Sequence, residues 1–231
     1  MRSVKAIFSK QLRDIFKNKM VLIQFIVFPL VAFVFTEMVA KTNADIPDSM
    51  FVTMFAGIYA GMSMLTATSG FIAEDRERRS LRFLVMAGVK PYQYMLGIGG
   101  VMIAASLVIS VVFGLMGGFW GMDFVRFIVV MMLGSVASTL LGAAIGIVSK
   151  NQQSAAAIAM PVGMILGFTP MLALFSDTVQ KMFSVFYTMQ VNTLLNDLEA
   201  GFAKPALIVL ANIAVFAILF AIAYKKKGLR G

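Results

Sequence analysis

The sequence predicts an all-α membrane protein with six transmembrane helices, and three observations support this fold class. The 231 residues are 60% hydrophobic and only 13% charged, and the mean hydropathy is +0.88, which is typical of membrane proteins. Six apolar runs are long enough to cross a hydrocarbon layer about 30 Å thick, which takes roughly 20 helical residues. The runs lack the short alternating pattern of a membrane β-barrel.

The first apolar run begins near residue 20 and the last ends near residue 224. We predict spans at Met20–Ala40, Phe51–Ala73, Met95–Phe119, Phe127–Val148, Ser154–Phe175 and Pro205–Tyr224. Because these spans use most of the chain, residues 1–231 are expected to form a single transmembrane domain. Span 4 carries small residues four apart, at Gly134, Ser138, Gly142 and Gly146. Such a face predicts close contact with a neighbouring helix.

Residues 1–19 are predicted to form an amphipathic helix before the first span. Val4, Phe8, Leu12 and Ile15 recur at helical spacing, and basic residues occupy the other side. A helix of this kind lies at the membrane interface with its apolar face toward the lipid. A simple anchor that fixes topology would have the same pattern, so both interpretations stay open.

The basic residues predict the orientation of the chain. Sixteen of the 20 Lys and Arg residues fall on one side of the predicted spans, and this side is expected to be cytoplasmic. Six spans then place both termini in the cytoplasm. The net charge of +9 is explained by topology and by contact with anionic membrane lipid. Nucleic-acid binding is disfavoured, because the basic residues lie beside the spans and not in a domain of their own.

The absence of certain residue types argues against an enzyme. The chain has no cysteine and no histidine, which excludes thiolate chemistry and imidazole metal sites. No Ser-Lys or paired-Asp arrangement occurs within the spans. Glu37 is the only ionisable residue inside a predicted span, and it lies close to the outer end. A proton-coupled carrier would have carboxylates nearer the membrane centre, so this pattern disfavours secondary transport.

An outer helical segment, residues 176–204, separates the last two predicted spans. It contains two amphipathic patterns at helical spacing, which predict two short helices that dip into the outer leaflet. The segment could line an exit path or only pack on the bundle. Hydroxyl and aromatic residues make a candidate substrate path, with Ser63 and Thr66 in span 2 and Phe183 and Phe186 in the outer segment.

The loop after span 2, residues 74–94, carries the densest charge in the chain. Glu74 with Arg78, and Asp75 with Arg79, are four apart in the order that favours helical ion pairs. Leu81, Leu84 and Val85 form a short apolar face, and a glycine and a proline then end the helix. A helix of this kind suits the groove of a partner protein. A membrane-associated loop whose arginines hold the topology fits equally well.

Two stretches resemble the permease subunits of type-2 ATP-binding-cassette (ABC) exporters. The first is KQLRDIFKNKMVLIQFIVFPLVAFVF, which matches an interfacial helix, a basic turn and a first span with a central proline, here Pro29. The second is EDRERRSLRFLVMAGVKPYQYMLG, which is similar to the family's coupling segment. In that segment this chain departs from the family at three places. Arg79 replaces a usual glycine, Arg82 replaces a usual glutamate, and AGV replaces a threonine-proline-valine turn.

The resemblance implies a function and a set of partners. Two permease subunits, identical or homologous, would pair above two copies of an ABC-type ATPase subunit. The ATPase would dock on the N-terminal helix and on the loop after span 2. The coupling positions implied are Glu74, Asp75, Arg76, Glu77, Arg79, Ser80, Leu81, Arg82, Leu84 and Val85.

The chain contains no phosphate-loop motif, so ATP and Mg would be bound by the partner subunit and no cofactor by this chain. We expect a multi-pass subunit of a prokaryotic cytoplasmic membrane that exports a hydrophobic or amphipathic drug, peptide or lipid. The alternative is a non-transporting membrane protein that assists assembly or confers immunity.

Overall fold

The computed structural model describes residues 2–43, 45–198 and 201–227, with side chains described except at positions 2–6, 20, 82, 85 and 227. Within these ranges the chain is helical and contains no β-strand. Six helices are long and apolar enough to cross a membrane, which confirms the predicted fold class. Spans 1 to 6 are Val21–Ala40, Ser49–Glu77, Pro91–Met116, Gly121–Val148, Gln152–Ala173 and Ala203–Lys226.

Four shorter helices accompany the spans in the described ranges. They are the N-terminal helix Arg2–Lys17, the loop helix Ser80–Met86, and two re-entrant helices, Asp177–Phe183 and Tyr187–Asn196. We call the end of the bundle that carries the N-terminal helix and the loop helix the basic end. The opposite end, where spans 2, 4 and 6 begin, is the far end.

Local side-chain chemistry sets several helix boundaries. The Asn18 side chain accepts a hydrogen bond from the backbone N–H of Val21 (3.3 Å) where span 1 begins. Asn151 accepts one from Ser154 (2.8 Å) at the start of span 5. Pro91 begins span 3, where its missing N–H removes no helical bond. Span 3 ends before Gly118, whose φ of +67° leaves the helical region, so this span both begins and ends earlier than predicted.

Span 2 lies at the centre of the bundle. In its most apolar window 67% of the residues are buried, whereas in span 6 only 11% are. Span 2 is interrupted halfway by a π-helical segment, Tyr59–Ser63, whose wider turn disturbs the regular helical hydrogen bonding. On one side span 2 packs against span 4, and on another it packs against span 5. Span 6 lies at the periphery, against span 4.

The two re-entrant helices penetrate the bundle from the far end. Asn212, well inside span 6, donates a hydrogen bond to the carbonyl oxygen of Val185 in the turn between them (2.9 Å). Tyr187, the first residue of the second re-entrant helix, is fully buried. Its side chain reaches the π-helical segment of span 2. The segment between spans 5 and 6 therefore contributes to the core near the middle of the bundle.

The acidic residue near the end of span 1 is paired at the surface. Glu37 accepts a hydrogen bond from Lys41 Nζ (2.5 Å). The hydrogen bond and the charge of Glu37 both raise the pKa of Lys41 above its usual 10.5. This pair explains Glu37 without a role in proton transport.

Candidate functional site

The end of span 2 carries four consecutive charged residues, Glu74–Glu77, which we call the charged junction. Asp75 is its buried member, with 4% of its surface exposed. The Asp75 carboxylate accepts a hydrogen bond from the Tyr94 hydroxyl of span 3 (3.0 Å). It also forms an ion pair with Lys10 of the N-terminal helix. Because a buried carboxylate needs such partners, Asp75 fixes span 2 to span 3 and to the N-terminal helix.

The other members of the charged junction reach spans 4 and 5. Arg76 donates hydrogen bonds to the carbonyl oxygens of Ile147 and Ser149, both at 2.7 Å. These carbonyls lie at the C-terminal end of span 4, where a helix leaves acceptors unpaired and favours a cation. Glu77 accepts from the Gln152 backbone N–H at the start of span 5 (3.1 Å).

A second contact with span 5 comes from Glu74, which accepts from the Gln152 side chain (2.8 Å) and pairs with Arg78 (2.6 Å). The predicted Glu74–Arg78 pair is therefore present. The predicted Asp75–Arg79 pair is wrong, because Asp75 pairs with Lys10. The helix ends at Glu77, and Arg79 has a φ of +59°, so the two residues are not on one continuous helix.

The loop helix presents a different apolar face from the one predicted. Leu81 is buried, with 1% of its surface exposed, and Leu84 is partly buried against the core. Phe83 and Met86 are 69% and 68% exposed. The side chains of Arg82 and Val85 lie outside the described residues, while Ser80 is partly exposed. Among the described side chains of the loop helix, the exposed apolar surface is therefore formed by Phe83 and Met86, which we call the Phe83 surface.

The N-terminal helix packs on span 3 with part of its apolar face. Ile15 is buried, and Phe8 lies against Gly100, where an added Cβ would be 3.4 Å from the phenylalanine ring. Leu12 is 39% exposed, and the side chain of Val4 is outside the described residues. The predicted apolar face thus divides between contact with the protein and exposure at the surface.

Two cavities lie along spans 2 and 5, one in each half of the bundle. The basic-end cavity, of about 470 Å³, is lined by spans 1, 2 and 5, including Gln24, Met62, Thr66 and Met160. The far-end cavity, of about 280 Å³, is lined by spans 2 and 5 and by the second re-entrant helix. Its wall combines methionines with the amides of Asn192 and Asn196, among other residues. Both cavities are therefore amphipathic.

A narrow contact between spans 2 and 5, which we call the waist, separates the two cavities. A Cβ added at Gly61 would lie 3.0 Å from the Cα atom of Gly167. A Cβ added at Gly163 would lie 3.2 Å from the Met62 side chain. The lack of a side chain at these glycines allows the two helices to approach closely. The waist coincides with the π-helical segment of span 2.

Buried hydroxyl groups serve the carbonyls near this segment. Ser138 of span 4 donates to the carbonyl oxygen of Ala60, and its hydroxyl lies 2.6 Å from that of Tyr187. The Tyr187 hydroxyl is also 3.4 Å from the carbonyl oxygen of Gly61. Because lipid supplies no hydrogen bonds, carbonyls disturbed by a π-helical turn need partners within the protein. Span 4 and the second re-entrant helix therefore hold the waist region of span 2.

The four predicted substrate-path residues occupy different environments. Thr66 lines the basic-end cavity and accepts a hydrogen bond from Gln24 of span 1. Ser63 is fully buried, and among the described residues its hydroxyl has no hydrogen-bond partner. Phe183 and Phe186 are half-buried neighbours with ring centroids 5.4 Å apart. Only Thr66 of the four lines either of the two cavities.

Several residues of the site were missed in the sequence. Gln24, Ser138, Tyr187 and Lys10 each bond to another span or to the charged junction. A signal was present for Gln24 and Ser138, since an amide or hydroxyl inside an apolar run must find a partner in the protein. Tyr187 lies outside the predicted spans and gave no such signal. Lys10 gave no such signal, because it was one of many basic residues at the N-terminus.

Comparison with known proteins identifies the family. The sequence model of the family described as "ABC-2 family transporter protein" matches residues 33–225, which include all of spans 2 to 5, nearly all of span 6 and the last part of span 1. Among curated proteins no sequence matches the chain. The family match and the six-span fold agree, and the chain therefore belongs to the ABC-2 transporter family, as a transmembrane component of an ABC transporter.

Proposed function

We propose that the chain is the permease subunit of an ABC exporter, with both termini in the cytoplasm of a prokaryotic cell. It pairs with a second permease subunit, identical or homologous, and with two copies of a separate ABC-type ATPase that binds ATP and Mg. The family itself implies association with an ABC ATPase subunit. The substrate is a hydrophobic or amphipathic molecule, since the two cavities combine apolar walls with a few amides and hydroxyls.

The observation that carries this proposal is the charged junction. Its four residues bond to the N-terminal helix and to spans 3, 4 and 5. The loop helix follows it directly and exposes the Phe83 surface. A force applied to the loop helix by an ATPase would therefore act at once on five elements. This arrangement suits a part that converts closure of the ATPase into movement of the spans.

The waist supplies the part that would move. With the waist closed, the basic-end cavity and the far-end cavity are separated by the contact of Gly61 with Gly167. Separation of spans 2 and 5 at this point would join the cavities into one path. Substrate would enter from the cytoplasmic side and leave beneath the re-entrant helices. The second permease subunit would cover the exposed faces of spans 1 and 5.

The Phe83 surface provides the test of ATPase docking. We expect Phe83→Asp to lower the amount of ATPase that co-purifies with the full chain by about tenfold, because a charge would be buried in an apolar contact. Phe175→Asp is the matched control, since Phe175 is 82% exposed at the far end. Equal recovery of the ATPase with both variants would contradict docking at this surface.

A transport assay separates export from the alternative of a non-transporting assembly or immunity protein. A fluorescent lipid analogue or a hydrophobic dye is added to the outside of inside-out vesicles that contain the complex, because the outside is then the cytoplasmic face. We expect ATP-dependent movement of at least one probe, which Phe83→Asp abolishes. Stable association of the ATPase without movement of either probe would favour the alternative.

A further inference from the structure

A third cavity lies on the opposite side of span 4 from the basic-end and far-end cavities. It is a groove of about 660 Å³ between spans 3, 4 and 6, in the half of the bundle nearest the basic end. It shares no lining residue with the basic-end or far-end cavity. Its walls are almost entirely apolar, and they include Met95, Leu96, Ile103, Leu140, Phe220 and Ala221. We call it the lateral groove.

The depth of the lateral groove matches one leaflet of a membrane. Along span 3 it runs from Pro91 to Ile103, which is about 18 Å at the helical rise per residue. Half of a hydrocarbon core is about 15 Å. Tyr92 lies at the mouth and is 57% exposed, in the position where amphipathic rings meet the headgroup region. An extended acyl chain fits both the length and the apolar wall.

The mouth of the groove is strongly basic. The Tyr224 hydroxyl donates to the carbonyl oxygen of Val89 (3.1 Å), which brings the end of span 6 to the start of span 3. Lys90 precedes the groove residue Pro91, and Lys225 and Lys226 follow Tyr224. All three lysines are exposed. Among the described residues none of the ion pairs involves them, so their charges are available to an anionic ligand.

We infer that the lateral groove binds one anionic phospholipid from the leaflet at the basic end. One acyl chain lies in the groove, and the phosphate group is bound by Lys90, Lys225 and Lys226. A neutral lipid would leave the three lysines without a counterion. An extended peptide segment would leave backbone groups unpaired against the apolar wall. The site is separate from the transport path and does not depend on the proposed export function.

Quenching by brominated lipid tests this site directly. The chain has one tryptophan, Trp120, which is exposed at the far end. In a Trp120→Phe background, Tyr92→Trp places a single fluorophore at the mouth of the groove with little change in size. The full chain is reconstituted in phosphatidylcholine vesicles that contain increasing fractions of dibrominated phosphatidylglycerol or dibrominated phosphatidylcholine. Val148→Trp is the control, since Val148 is 47% exposed at the same end and outside the groove.

We expect half-maximal quenching of Tyr92→Trp at a mole fraction about fivefold lower for phosphatidylglycerol than for phosphatidylcholine, an effect comparable to one lysine beside an anionic headgroup. Replacement of Lys90, Lys225 and Lys226 by glutamine should bring this ratio close to one. The ratio for Val148→Trp should be smaller and should not change with the same replacements. Size-exclusion profiles confirm that each variant is folded.

Four results would overturn the inference. The first is an equal response of Tyr92→Trp to both lipids. The second is a preference that survives the three glutamine replacements. The third is no quenching by either lipid, which would mean that protein covers the groove. The fourth is equal quenching by a free dibrominated fatty acid and by phosphatidylglycerol, which would identify a single-chain carboxylate as the ligand.

Discussion

Span 2 makes two long contacts that differ in character. Against span 4 the backbones are in direct contact. A Cβ added at Gly146 would lie 2.7 Å from the carbonyl oxygen of Ser69, and a Cβ added at Gly142 would overlap the carbonyl oxygen of Leu65. The buried Ser138 and the half-buried Arg76 add hydrogen bonds between the two spans. Against span 5 the close glycine contacts lie at the waist, with a cavity on either side.

The difference suggests which part of the bundle is fixed and which can change. Packed interiors tolerate little change in spacing, so spans 2 and 4 should behave as one body. The contact of spans 2 and 5 has a flexible methionine, Met62, beside Gly163 and open space above and below. Its polar contacts at the basic end, made by Glu74 and Glu77, are exposed. We expect movement during transport to occur there.

Cross-linking has the largest expected effect, and it tests most directly whether the contact of spans 2 and 5 moves while that of spans 2 and 4 is fixed. The chain has no native cysteine. Met62→Cys with Gly163→Cys would join spans 2 and 5, where a Cβ at position 163 lies 3.5 Å from the Met62 Cα atom. Oxidation of this pair should nearly abolish ATP hydrolysis by the complex with its ATPase, because the waist can no longer open. Reduction should restore it.

The matched pair joins spans 2 and 4. In Ala60→Cys with Gly134→Cys, a Cβ at position 134 lies 3.3 Å from the Ala60 Cβ atom, which is close to the spacing in disulfides. This cross-link should leave ATP hydrolysis unchanged. If both cross-links inhibit equally, the distinction between a fixed and a movable contact fails.

Substitution of Gly142 has the next largest expected effect, and it tests the fixed contact between spans 2 and 4. Gly142→Ala should lower the free energy of unfolding by about 3 kcal/mol, because the added methyl group forces spans 2 and 4 apart. Unfolding in mixed detergent and SDS micelles measures this change. Gly70→Ala is the control, since a Cβ there meets no atom within 4 Å. A similar loss in both variants would show that the close packing of span 4 is not what stabilises the bundle.

Part of this contrast could be predicted from the sequence. The four-residue repeat of small residues in span 4 predicted a close helix contact, and Gly142 and Gly146 make it. Hydropathy predicted the six spans because each helix must by itself be long and apolar enough to cross the membrane. The repeat did not name span 2 as the partner, since small residues also recur in spans 3 and 5.

The contacts of the charged junction could not be predicted. Helical spacing correctly gave the local pair of Glu74 with Arg78. It could not predict the ion pair of Asp75 with Lys10 or the hydrogen bond of Arg76 to Ile147, because those partners are brought together only by the tertiary fold. The resemblance did mark position 79 as a usual glycine, and the positive φ of Arg79 explains why glycine suits it. The role of Tyr187 likewise depends on a π-helical turn that no hydropathy pattern reveals.

Two substitutions in the charged junction have the smallest expected effects. They compare the contacts of span 2 with spans 4 and 5 at the basic end. Arg76→Gln removes a charged donor from two span 4 carbonyls, and it should lower the free energy of unfolding by about 2 kcal/mol. Glu77→Gln weakens one exposed bond to span 5, so its effect should stay below about 0.5 kcal/mol. The same unfolding assay measures both variants. The bonds to span 4 are part of the fixed contact, and the bond to span 5 is not. An equal or larger loss of stability in Glu77→Gln would therefore show that the more stable contact of span 2 is with span 5 and not with span 4.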